Sequence, residues 1–121
     1  MNDRPTYTPS AAALGIEAAW RLLDGRWKLL ILFNLFGGRV RRFSDLERDI
    51  PGISQKMLAQ QLRALEADGL VRRTVHDEKP PRVEYAMTPW GQSLCPALDA
   101  LLAWMEAGPG FVGEGAGPAT R

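Results

Sequence analysis

The stretch from Ser44 to Met87 leaves this chain few folds to choose from. It begins with a short helical segment, Ser44-Asp-Leu-Glu-Arg-Asp-Ile, with Ser44 placed to cap it. An Asp and a Glu fall in its first turn, where the helix dipole favours them. Pro51-Gly52 ends that segment. Ser54 can then cap a second helix over Gln55 to Asp68, and Gly69 stops it. Leu58, Leu62 and Leu65 recur at i, i+4 and i+7, so this helix buries one stripe. Two helices, the first short, joined by a tight turn containing glycine, make a helix-turn-helix pattern. The period then changes. Leu-Val-Arg-Arg-Thr-Val-His (70–76) and Arg-Val-Glu-Tyr-Ala-Met (82–87) alternate as half-buried strands do, with Glu78-Lys79-Pro80-Pro81 between them. This predicts one β-hairpin, a wing, directly after the helix pair. With Val75 opposite Tyr85, the residues Val71, Val75, Val83, Tyr85 and Met87 share its buried face.

The flanks complete a single domain. Ser10 can cap a helix running to about Asp24, where Gly25 stops it, and Ile16, Trp20 and Leu23 fall on one face. Arg26 to Phe36 is apolar on nearly every side and belongs at the centre of the core. Thr88-Pro89 opens a last helix to about Ala107, in which Pro96 should bend or loosen one turn. Residues 1–9 read as a disordered arm. Residues 108–121, with five Gly and two Pro, read as a flexible tail. The expected architecture is mainly α with a small β-hairpin: a winged helix-turn-helix over residues 10–107, with terminal helices. In the last helix Trp90, Leu94, Leu98, Leu101 and Met105 share a face, with Trp104 beside it. That is more apolar surface than one small core can cover. Two copies are therefore expected to join through Ile16, Trp20, Leu94, Leu98, Leu101, Trp104 and Met105.

The formal net charge of +1 says nothing for a polyanionic partner, but its distribution does. From Arg21 to Tyr85 there are thirteen Lys/Arg against nine Asp/Glu, a balance of +4; the remainder stands at −3. On the helix 55–68, the face opposite the leucine stripe carries Lys56, Gln60 and Arg63, with no carboxylate before Glu66. Lys and Arg can donate to guanine O6 and N7 or to phosphates, and Gln can pair bidentately with adenine. A helix entering the major groove needs long donors of this kind near its N-terminal half. Ser54 and Gln55 open the same helix and join the DNA-binding candidates. Lys79 and Arg82 bracket the stiff Pro80-Pro81 tip, where a wing would meet the backbone or the minor groove. Arg39, Arg41 and Arg42, just before the helix pair, are candidates for phosphate contacts.

The stretches DGRWKLLIL, RRFSDLERDIPGISQKMLAQQLRALEADGLVRRTV and PPRVEYAMTPWGQSL closely resemble the HxlR-type regulators, bacterial winged-helix proteins related to the MarR group. The resemblance covers about Leu14 to Trp104. It implies a homodimer built on the first and last helices, a recognition helix at Ser54–Asp68 and a wing at Val71–Met87. It further implies a regulator of nearby genes that binds double-stranded DNA and often answers aldehydes, quinones, oxidants or other small molecules. Many members carry a redox-sensing cysteine in a Cys-Pro pair where this chain has Leu14-Gly15, so that thiol switch does not carry over. An effector, if one acts, could sit between the terminal helices and the DNA-reading module, where Trp20, Trp27, Phe33 and Trp104 could line an aromatic pocket; plain core packing of these four is the favoured alternative.

Two rival classes are disfavoured by the residues themselves. An enzyme needs a nucleophile within reach of a base; His76 stands on a strand, expected across from Glu84, and the single cysteine, Cys95, on a helix remote from it in sequence. With no Gly-rich phosphate loop and no Cys/His cluster, neither catalysis, cofactor nor metal is expected. A winged helix that docks on protein or RNA would tend to carry apolar or acidic residues where Lys56, Gln60 and Arg63 stand. No segment reads as a secretory signal or a membrane span, which makes the cytoplasm the default expectation.

Overall fold

A computed structural model describes residues 6–110. The expectations for residues 1–5 and 111–121 lie outside it. Nine elements follow one another: α1 (Pro9–Leu23), α2 (Arg26–Leu35), β1 (Arg41–Arg42), α3 (Phe43–Asp49), α4 (Gln55–Ala67), β2 (Val71–His76), β3 (Arg82–Met87), α5 (Pro89–Gln92) and α6 (Cys95–Ala107). The architecture is the expected winged helix-turn-helix, mostly helical with a small antiparallel sheet.

The start of α1 lies slightly earlier than the sequence suggests. Its cap is Thr8, whose hydroxyl accepts from the Ala11 N–H at 3.1 Å, because Pro9 fits the first helical position. For α3 the cap is backbone at Arg42, and Asp45 accepts the Arg42 N–H at 3.0 Å; Ser44 lies inside the helix. Ser54 caps α4 as expected, accepting from the Met57 N–H at 3.0 Å. After each of α3 and α4 a glycine takes a positive φ, Gly52 at 86° and Gly69 at 81°, which side chains would strain.

The core is built around α2, which packs on α3, α4 and β3. Ile31, Leu32 and Leu35 from α2, Leu46 from α3, and Leu58, Leu62 and Leu65 from α4 are all buried. Each such side chain contributes roughly 1.5–3 kcal/mol of burial, which fixes α4 by its leucine stripe and leaves its far side outward.

Three findings correct the sequence reading. The sheet has three strands in the order β1-β3-β2, since Arg41 and Arg42 pair with Tyr85 and Glu84. In the hairpin, Val75 pairs with Val83 and Arg73 with Tyr85, a register two residues away from the expected one. Pro80 and Pro81 lack the N–H that ladder pairing needs, so the strands close at His76–Arg82 and leave a longer tip. A two-residue shift preserves the faces, but it carries Val75 beyond the core, where it is exposed. Lastly, the expected single C-terminal helix is two. Pro96 cannot donate to the carbonyl four residues back, and the helix breaks at Ser93-Leu94.

Thr88 ties the C-terminal helices to the helix-turn-helix. Its hydroxyl donates to the Gly69 carbonyl at 2.6 Å and accepts from the Gly91 N–H at 2.9 Å. No helix among the described residues is long and apolar enough to cross a membrane.

Candidate nucleic-acid interface

The outward side of α4 follows from its burial. With Leu58, Leu62 and Leu65 turned inward, Lys56, Gln60 and Arg63 stand exposed on the opposite face, as do Ser54 and Gln55 at the helix start. Neither Lys56 nor Arg63 has an ion-pair partner among the described residues. The face carries two positive charges and no carboxylate among these residues.

Around it, the arginines divide into those already engaged and those that are not. Arg41 is held by Asp49 at 3.0 Å, which fastens β1 to α3. Arg42 lies on the other face of the sheet, exposed and free of ion pairs among the described residues. Arg48 binds both Asp45 and Asp49. Its hydrogen bond to Asp49, with the attraction of both carboxylates, raises its pKa above the ordinary arginine value, so it is always charged. At the wing, Lys79 is exposed and unpaired among the described residues. Arg82 is not: Glu78 holds one of its nitrogens at 2.9 Å, Glu84 lies 3.7 Å from another, and its Nε is buried without a hydrogen-bond partner. Glu84 also accepts from His76 Nε2 at 2.7 Å, diagonally, since the residue directly across from His76 is Arg82. Two cations escaped the sequence reading, Arg72 and Arg73 on β2, both exposed and unpaired among the described residues. Their signal was present, because neighbouring residues on a strand must point to opposite faces.

The residues expected at a subunit interface also divide. Ile16 and Trp20 on α1, and Leu101, Trp104 and Met105 on α6, are exposed, Trp104 most of all at 69%. Leu14 on α1 and Leu102 on α6 add to that apolar surface. Leu98 is instead buried in the chain's own core and Leu94 packs against it, because the break before Pro96 turns the start of α6 inward. Among the described residues, no ring contact joins the four aromatics expected around an effector. Trp27 packs against the core under the Arg26 guanidinium, 4.3 Å from its ring centre, and Phe33 meets Phe36 edge-on at 5.3 Å. A cleft of about 260 Å³ does open between α1 and α5–α6, lined by Ala19, Leu22, Leu23, Leu70, Trp90 and Leu94 among others, and none of the four lines it. Cys95 is half-buried, with its Sγ 4.0 Å from Asp99. Leu14-Gly15 lies within α1.

This geometry has close counterparts. Residues 22–109 match the family described as HxlR-like helix-turn-helix. A Bacillus subtilis protein named as the HTH-type transcriptional regulator YtcD is 47% identical over 91 residues, 75% of this chain and 71% of the relative. The crystal structure of a protein described as a MarR-family transcriptional regulator from Enterococcus faecalis superposes with a TM-score of 0.75 at 39% identity, covering 87% of this chain and 92% of that one. The reduced form of the B. subtilis transcriptional regulator YodB gives a TM-score of 0.72 at 35% identity, over 88% of this chain and all of that one. The match takes in the helix pair, the wing, α5 and α6, and it places the chain in one family: it belongs to the HxlR-like helix-turn-helix proteins.

Proposed function

We propose that the chain is a transcriptional regulator that binds a specific duplex DNA operator as a homodimer, with α4 in the major groove. The observation that carries the reading is the donor face of α4. Lys56, Gln60 and Arg63 are exposed, free of carboxylate partners among the described residues, and fixed in direction by a fully buried leucine stripe. Side chains that reach base edges specify sequence, while those that reach phosphates hold register. Ser54, Gln55, Arg42 and Lys79 supply further contacts around that face, and Arg41 steadies β1 through Asp49. Arg82 contributes at the wing only by exchanging a carboxylate for a phosphate. The relatives named as HTH-type or MarR-family transcriptional regulators support the same assignment, and none of these descriptions is that of an enzyme.

The homodimer is proposed on the exposed apolar surface of α1 and α6, which would be costly to leave in water. A small-molecule effector, if the protein answers one, would not sit in a ring cluster of Trp20, Trp27, Phe33 and Trp104, since no ring contact joins them among the described residues. The test of the function is selection of bound sequences from a random duplex pool. A two-fold dimer should enrich a pseudo-palindrome with half-sites about one helical turn, or a multiple of it, apart. A pool that emerges unenriched would overturn operator specificity.

A further inference from the structure

A second cleft, about 320 Å³, separates α4 from the sheet. Ala59, Arg63 and Glu66 line it from the helix, Arg73 and Tyr85 from the strands. We propose that this cleft seats one backbone phosphate of duplex DNA, held between Arg63 on one side and Arg73 on the other. The proposal rests on the DNA-binding reading above and adds a site to it.

Strand alternation selects the arginine. Arg73 pairs across from Tyr85 and shares its face, whereas the adjacent Arg72 pairs with Ala86 and faces away. Charge selects the ligand. Arg41, Arg48 and Arg82 each have a carboxylate, but Arg63 and Arg73 have none among the described residues although they line one cleft. Two guanidinium charges less the Glu66 carboxylate leave +1, the complement of a single phosphodiester. Guanidinium groups bind phosphate oxygens with paired, charge-assisted hydrogen bonds. Tyr85 is 8% exposed and brings a phenol to the same cleft, a further donor for the two non-bridging oxygens. Ala59 adds almost no bulk. Position agrees with charge: a helix in the major groove and a wing at the neighbouring minor groove have one sugar-phosphate strand between them, and this cleft lies between those two elements.

Phosphate contacts carry no sequence information, so the test uses the intact protein and random-sequence duplex in a salt titration. Wild type should bind with a steep dependence of log K on log salt. Arg73→Ala should weaken binding while Arg72→Ala matches wild type. The Arg63→Ala/Arg73→Ala pair should lower the slope by about 0.9 per subunit, the value for one phosphate. Arg73→Lys, which keeps the charge, should keep the wild-type slope. An Arg73→Ala protein with wild-type affinity and slope would overturn the proposal, as would a double variant whose slope falls by the amount for two phosphates per subunit. Wild type that fails to bind duplex at all would instead overturn the DNA-binding reading itself.

Discussion

Gly91 shows how a single hydrogen atom can fix the relation between two modules. A Cβ built there would come 2.1 Å from the Leu70 carbonyl oxygen and 2.8 Å from the Met87 side chain. The backbone of α5 therefore lies directly on the junction between α4 and β2, and Thr88 clasps it with its bond to Gly69. Gly91→Ala should force the two apart and destabilise the chain by about 1–3 kcal/mol, seen as a lower melting temperature. At Gly15, by contrast, an added Cβ meets no described residue within 4 Å beyond its chain neighbours and its own helix backbone. The same substitution inside α1 should be neutral or stabilising, by up to about 1 kcal/mol. Equal losses at the two positions would mean that the contact at Leu70 is not what makes Gly91 matter.

At the level of elements, the wing differs most from its sequence signature. Glu78, Arg82, Glu84 and His76 form one connected set, so Arg82 is neutralised by carboxylates of its own hairpin. Glu78→Gln should remove one of these competitors. We expect severalfold tighter binding to random duplex at low salt and a salt slope steeper by up to about 0.9 per subunit. Unchanged affinity and slope would show that this side of the wing does not approach the backbone. Alternation in the sequence revealed both strands, and leucine spacing revealed which way α4 faces, because both patterns are local. The register was not legible, since it depends on where two prolines stop the ladder. Nor were β1 and the engagement of Arg41, because these depend on Tyr85 and Asp49, brought to Arg41 only by folding; the two carboxylates at Arg82 stand within four residues of it, so their signal was present in the sequence. The donor face of α4 could be read in advance because the helix's own period fixes it. The cleft behind it could not, because two of its five lining residues come from the sheet.

For the whole molecule, the described chain leaves its terminal helices with large apolar side chains in water: Leu14, Ile16 and Trp20 on α1, Leu101, Leu102, Trp104 and Met105 on α6. A second copy covering them would place two α4 helices about a two-fold axis. Trp104→Glu should therefore yield a monomer in light scattering at micromolar concentration while the helical content stays that of a folded chain. A wild type that is monomeric there would contradict the dimer. The central claim is that α4 reads base sequence, and its most direct measurement compares Gln60→Ala with wild type on the selected operator and on random duplex. Gln60 is uncharged, so its loss should cost about 1–3 kcal/mol per half-site on the operator and relax preference at one position. Binding to random duplex and its salt dependence should not change. Equal affinities of wild type and Gln60→Ala for the operator, with preference intact at every position, would contradict the placement of this face of α4 in the major groove.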